Sequence, residues 1–297
     1  MKSRKYLIDF LLKAGKVHLL GGPSGSGKST WLLETLALEW SKSKPVLGYK
    51  SNPVPWVYIS ADRSTDSVLE TMERIGIPEE DVRIYSMTDN NALLDINSVI
   101  LKCMLLTPKP ELVVIEGMAS LMKGSHNNYQ HVAKFLQVLG LACADQDITI
   151  IGVVHSTKCK QGEEFLNPRQ RVLGSVAWAA YSETVLLIEP VGLEQNGTSP
   201  QRRLYVLPRQ SKEFTVEMLV DEKGRLRPAP SPEDDLTDAL SYAYLQTVKP
   251  DGEFSTADFI DHVGVPERSA KRLLSKLLET GQIQKSSWGK YRKCQVV

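Results

Sequence analysis

A chain of 297 residues, 42% hydrophobic and 24% charged, has an ordinary globular composition with room for one sizeable core and a small second domain, which excludes a disordered or membrane-spanning protein. The net charge of +1 names no partner by itself, because a near-neutral total is compatible with a local basic surface. Cys103, Cys143, Cys159 and Cys294 have no CxxC spacing, so neither a zinc site nor a disulfide framework is indicated and reduced thiols are expected.

The N-terminal apolar run at 6–12 is broken by Asp9 and is too short to span a bilayer, so no targeting signal is visible and a cytoplasmic location without a membrane partner is expected. Strand-like runs then recur at 17–20, 57–60, 112–115, 148–154 and 184–188, with helix-like stretches between several of them. That alternation predicts an α/β fold with a mostly parallel sheet. The runs at 112–115 and 148–154 are continuously apolar, as central strands covered on both faces should be. Residues 202–207 and 214–219 read as later, more exposed strands forming a hairpin, and the α/β domain is expected over 1–226.

Between the first of these strands and a helical run at 31–40 stands GGPSGSGKST, in which Gly22, Gly27, Lys28 and Ser29 match G-x-x-x-x-G-K-[ST]. Glycines let several backbone N–H groups face one anion, and the helix that follows directs its positive end at the same point. The whole loop, Gly22, Pro23, Ser24, Gly25, Ser26, Gly27, Lys28, Ser29 and Thr30, is therefore expected to hold ATP. Lys28 should reach the β- and γ-phosphates, and the Ser29 hydroxyl should ligate Mg²⁺.

RPAPSPEDD at 227–235 holds three prolines and three acids, so an extended linker is expected there, with a second domain over 236–297. In that domain Ser255-Thr256-Ala257-Asp258 opens a helix with a hydroxyl cap, 263–266 makes a turn and 267–280 forms the next helix, ended by Gly281. Arg268, Lys271, Arg272 and Lys276 fall at i, i+3, i+4 and i+8 on one face, with leucines largely on the other. A polar hairpin over 283–295 carries Lys290 and Arg292 near its tip, so the pattern is that of a winged helix whose basic face suits the major groove.

GGPSGSGKST at 21–30, VYISAD at 57–62, LVVIEG at 112–117, IIGVVHSTK at 150–158 and GSVAWAAYSETVLLI at 174–188, in this order, resemble the RecA-like P-loop ATPases. Within them the resemblance is to the hexameric plasmid and phage replicative helicases of the RepA type, over roughly residues 14–220. It implies that Asp62, where the family has glutamate, polarises the attacking water. It also implies that Glu116, where the family has aspartate, serves the Mg²⁺ site. Asp62 and Glu116 either compensate each other in length or Glu116 itself activates water. His155 takes the place of a γ-phosphate sensor. The arginine of the family pattern falls on Glu183, so Arg209 and Lys212 of LPRQSK are the candidates for cations acting on a neighbour's site.

The loops after Glu116 and His155 face the central channel in such rings, which makes Lys123, Lys158, Lys160, Arg169 and Arg171 candidates for contacts with single-stranded DNA. The resulting expectation is an ATP- and Mg²⁺-dependent DNA motor, a homo-hexamer acting in phage or plasmid replication, with duplex contacts through the C-terminal domain. A nucleotide-gated DNA-binding regulator or loader, or a recombination mediator without unwinding, is the alternative.

Overall fold

The computed structural model describes residues 6–88, 96–156, 168–172, 175–191, 200–229, 241, 244–245, 247–249, 252–279, 281–287 and 289–294. Contacts divide the chain into two compact units, Met1–Ala229 and Pro230–Val297.

The first unit is an α/β sandwich around a nine-stranded sheet. A small N-terminal hairpin, β1 (Tyr6–Ile8) and β2 (Leu12–Lys13), precedes it. The parallel strands are β3 (Val17–Gly21), β4 (Trp56–Ser60), β5 (Ile84–Ser86), β6 (Leu112–Glu116), β7 (Thr149–Val153) and β8 (Thr184–Pro190). They lie in the order β8-β3-β7-β6-β4-β5, so β3 is central and β7 separates it from β6. Antiparallel β9 (Gln201–Pro208), β10 (Phe214–Val220) and β11 (Leu226–Pro228) extend the sheet beyond β8.

Every residue of β3, β4, β6 and β7 is buried, because helices cover both faces. Two clusters result. One packs Leu20, Tyr58, Val114 and Ile151 against α1 (Lys28–Glu34) and α2 (Thr65–Ile75). The other packs Leu19, Val57, Ile115 and Ile150 against α3 (Ile96–Met104) and α4 (Tyr129–Gln146). The period-two alternation along each strand sends neighbouring residues to opposite clusters. Caps fix the helix starts: Ser64 accepts from Ser67 N ahead of α2, and Asn128 from His131 N ahead of α4. The first helix starts three residues earlier than its apolar run and continues as a π-helix over Thr35–Trp40, which turns Trp40 fully inward.

Residues 227–229, expected in the linker, belong instead to the first unit, 227 and 228 as part of β11. The reason is electrostatic as well as apolar: Arg227 forms an ion pair with Glu34, a buried carboxylate at the end of α1, and Leu226 packs into the first cluster. Linker residues 230–235 lie outside the described residues.

In the second unit the helix Thr256–Val263 begins with a capping box between Ser255 and Asp258 and ends at Gly264. The helix Glu267–Glu279 follows after a short turn. A three-stranded antiparallel sheet, β12 (Glu253–Ser255), β14 (Lys290–Lys293) and β13 (Ile283–Ser287), is ordered β12-β14-β13. Phe254, Phe259, Ala270, Leu273, Leu274, Leu277 and Ile283 make its core.

Cys103, Cys143 and Cys294 are free thiols, while Cys159 lies outside the described residues. Among the described residues no helix is long and apolar enough to cross a membrane.

Burial pushes the Glu34 carboxyl up from 4.5 to about 7 against the pull of Arg227. The folded chain therefore binds this proton more tightly than the unfolded chain, so its contribution to stability declines as pH rises from about 4.5 to about 7. Urea titrations at the two ends of that window should show the Glu34→Gln variant gaining stability relative to the native chain as pH rises. A pH-independent difference would mean that folding leaves the Glu34 pKa unchanged.

Candidate functional site

The carboxyl ends of the parallel strands bring the candidate residues together, as expected of an open α/β sheet. The glycine-rich loop runs from the end of β3 into α1, and its first glycine has no space for a side chain. A Cβ on Gly22 would sit 2.5 Å from both the Ile188 carbonyl oxygen and Ser26 Oγ. Lys28 is buried, and its Nζ donates to the carbonyls of Gly22 (2.8 Å) and Pro23 (2.9 Å). Burial lowers its pKa to about 8, opposed by the charges of Glu116 and Asp62. Ser26 Oγ is buried within the loop and has no hydrogen-bond partner among the described residues, as befits a group poised for an anion.

β6 carries Glu116 to the loop from the other side of β7. Ser29 Oγ donates to Glu116 Oε1, while Tyr58 OH (2.6 Å) and Arg63 Nε (3.1 Å) donate to Oε2. Burial first, and then the Glu116 charge, push the Tyr58 hydroxyl well above its usual range, so it remains a donor. Ser29 and Glu116 thus present two hard oxygens side by side, the donor set that Mg²⁺ prefers.

Asp62 follows β4 and faces the same cleft. It lies so close to Gly117 that a Cβ there would meet its Cγ at 2.5 Å, and Gly117 has φ 67, which further favours glycine. Burial raises the Asp62 pKa and Glu116 adds to the rise, with Arg63 and His155 opposing it. His155, exposed just beyond β7, lines the cleft as well. Its neighbour Ser156 donates its N–H to the Gly22 carbonyl at 3.1 Å, which couples the end of β7 to the phosphate loop. The cleft has a volume of about 420 Å³.

Several residues of this site, Tyr58, Arg63, Arg74 and Arg202 among them, are not singled out by the sequence. Tyr58 is hidden inside an apolar strand run, and Arg63 is overshadowed by the acid before it. Arg74, in the last turn of α2, donates to Thr30 Oγ1 (3.2 Å) and the Lys223 carbonyl (3.1 Å) and also lines the cleft. The signal for Arg63 is its position next to Asp62; Arg74 gives none, because its approach depends on the β10–β11 turn.

Arg209 and Lys212 are exposed in the turn after β9. Pairing of Thr184 with Pro208 places that turn where β8 begins, at the opposite end of the sheet from the phosphate loop. They do not reach their own cleft. Glu183, beside this turn, is held by Lys13 at 2.7 Å.

The DNA candidates divide in the same way. Lys123 is exposed in the segment before α4, and Arg169 is bonded to Glu213 (3.0 Å) and to the Pro208 carbonyl (2.6 Å). Arg171 is a correction: it is buried, ion-paired with Glu189 and 5.3 Å from the Tyr205 ring centroid, so it braces the interior instead of facing DNA. Lys158 and Lys160 lie outside the described residues, as does the side chain of Arg268. Arg272, Lys276 and Lys290 are exposed; Lys271 pairs with Glu267 (2.6 Å), and Arg292 with Glu253 (2.7 Å).

A family model described as an AAA domain matches residues 1–161, more than half of the chain. The chain belongs to this AAA domain family. Among solved structures it is similar to one whose title describes an ATPase domain, with a TM-score of 0.54 and 10% identity over 72% of this chain and 84% of that one. No curated protein matches the sequence. The fold is accordingly that of a RecA-like P-loop ATPase, in agreement with the motif order.

Adding a methyl group at Gly117 should displace Asp62 while leaving the phosphate loop intact. Gly117→Ala is expected to slow ATP turnover by about 10²-fold with ADP affinity changed by less than about threefold, the split expected when a reacting group is misplaced by an ångström. Steady-state hydrolysis and equilibrium ADP binding check it.

Proposed function

We propose that this protein is a DNA-dependent ATP-hydrolysing motor of the RecA-like hexameric helicase type. The observation that carries the hydrolytic part is the convergence of Lys28, Ser29, Glu116 and Asp62 on one cleft at the carboxyl edge of the sheet. Lys28 exchanges its two carbonyl partners for the β- and γ-phosphates, and the loop N–H groups hold the rest of the anion. Ser29 and Glu116 would hold Mg²⁺, which when bound neutralises charge on the phosphate oxygens. Asp62 accepts a hydrogen bond from the attacking water, and its partly buried, electronegative setting makes it a stronger base than an ordinary aspartate. His155 senses the terminal phosphate and passes its presence to the segment after β7. Arg209 and Lys212, remote from their own cleft, serve the site of an adjacent subunit in a homo-hexamer.

The DNA-binding part rests on the second unit, which we take as a winged helix. Its helix Glu267–Glu279 buries Leu273, Leu274 and Leu277 and exposes Lys271, Arg272 and Lys276. That basic face contacts duplex phosphates, and Lys123 and Arg169 of the first unit belong to a surface for single strands.

ATP hydrolysis measured with and without single- and double-stranded DNA, together with the light-scattering mass in nucleotide, tests the proposal. Strong single-strand stimulation in a ring-sized oligomer is expected, with turnover abolished in Lys28→Ala. Slow turnover indifferent to DNA would replace the motor with a nucleotide-gated DNA-binding regulator. Arg272→Glu combined with Lys276→Glu should weaken duplex binding and reduce the magnitude of the negative slope of log K against log salt by about 2, roughly one unit per lost phosphate contact. An unchanged slope would remove this helix from the DNA interface.

A further inference from the structure

The cleft contains a cation that no motif assigns. Arg63 follows Asp62 directly, and its main chain is fixed: Ser60 Oγ accepts its N–H (3.1 Å) and donates to its carbonyl (2.8 Å), and Ser86 Oγ donates to the same carbonyl (2.9 Å). The two serines close β4 and β5, so the backbone of Arg63 is pinned to the sheet edge. Its side chain is different. It is 29% exposed, lines the cleft, and reaches Glu116 Oε2 through Nε (3.1 Å) and an ion pair at 3.0 Å, with a marginal 3.4 Å contact from its remaining terminal nitrogen to Thr71 Oγ1.

Glu116 does not depend on Arg63 alone, because Ser29 and Tyr58 also donate to it. The guanidinium is therefore one carboxylate's width from the Ser29 hydroxyl and lines the same cleft as Lys28 of the phosphate loop. A terminal phosphate carries more charge than a carboxylate already accepting two other hydrogen bonds, and its oxygens match the planar fork of an arginine. Arg209 and Lys212 stand at the far end of the sheet, where they could act only on a neighbour's site, so Arg63 would complement them from within the subunit.

We propose that Arg63 is a γ-phosphate contact acting within its own subunit, resting on Glu116 until ATP enters and then turning to the terminal phosphate. This rests on the ATPase reading above, and it makes Arg63 a catalytic residue that distinguishes ATP from ADP. Calorimetric titration of the full-length chain with ADP and with β,γ-imido-ATP, each with Mg²⁺, tests it. Arg63→Gln should lose about tenfold or more in affinity for the imido analogue, the weight of one charge-assisted contact, and change ADP affinity by less than about threefold. Arg63→Lys should recover part of the loss, since it keeps the charge without the fork. ADP binding also reports that each variant is folded. Equal losses for both nucleotides would reduce Arg63 to a brace for Glu116, and no loss for either would remove it from the site; both overturn the proposal while leaving the ATPase reading intact. A native chain that binds neither nucleotide would overturn both.

Discussion

The arrangement around Glu116 is the constraint on which the rest of the site depends. A carboxylate at the end of a fully buried strand must find donors or lose several kcal/mol of solvation. Here the donors come from three separate segments: Ser29 at the start of α1, Tyr58 within β4 and Arg63 beyond its end. Satisfying one charge therefore fixes the phosphate loop, the strand bearing the second acid and the cation beside it in a single register. The strand order makes this possible, because β6 pairs with β4 on one side and is separated from β3 by β7 alone.

β7 supplies the second connection. Its end donates through Val154 to Leu20 and through Ser156 to Gly22, whose carbonyl also accepts from Lys28. Lys28 and the segment carrying His155 thus share one acceptor, the Gly22 carbonyl. The close contact of Gly117 with Asp62 makes a comparable link between the ends of β6 and β4. These are short, directional contacts across a rigid sheet, the kind of element through which nucleotide state can reach a distant loop.

Cations are sorted by the direction of the strands. Lys28, Arg63, Arg74 and Arg202 line the cleft at the carboxyl edge, whereas Lys13 and Arg209 lie where β3 and β8 begin. Arg171 is buried and paired with Glu189 near the end of β8. Basic residues that look equivalent along the chain consequently have three different chemical settings, and only the sheet's geometry separates them.

Much was legible in advance because local chemistry dictated it. The spacing of Gly22, Gly27, Lys28 and Ser29 permits few structures other than a phosphate loop, apolar runs of four or five residues had to become buried strands, and Ser255 with Asp258 had to cap a helix. Asp62, Glu116 and His155 could be named through the resemblance to the RecA-like motifs, in which each stands at or just after the end of such a strand. The tertiary structure alone decided which of these groups touch. It brought Tyr58, Arg63 and Arg74 to the site, buried Arg171, drew residues 227 and 228 into β11 and placed Arg209 and Lys212 away from their own cleft. Pairings between residues tens of positions apart depend on strand order and on the burial of individual charges, and neither leaves a periodic signature in the sequence.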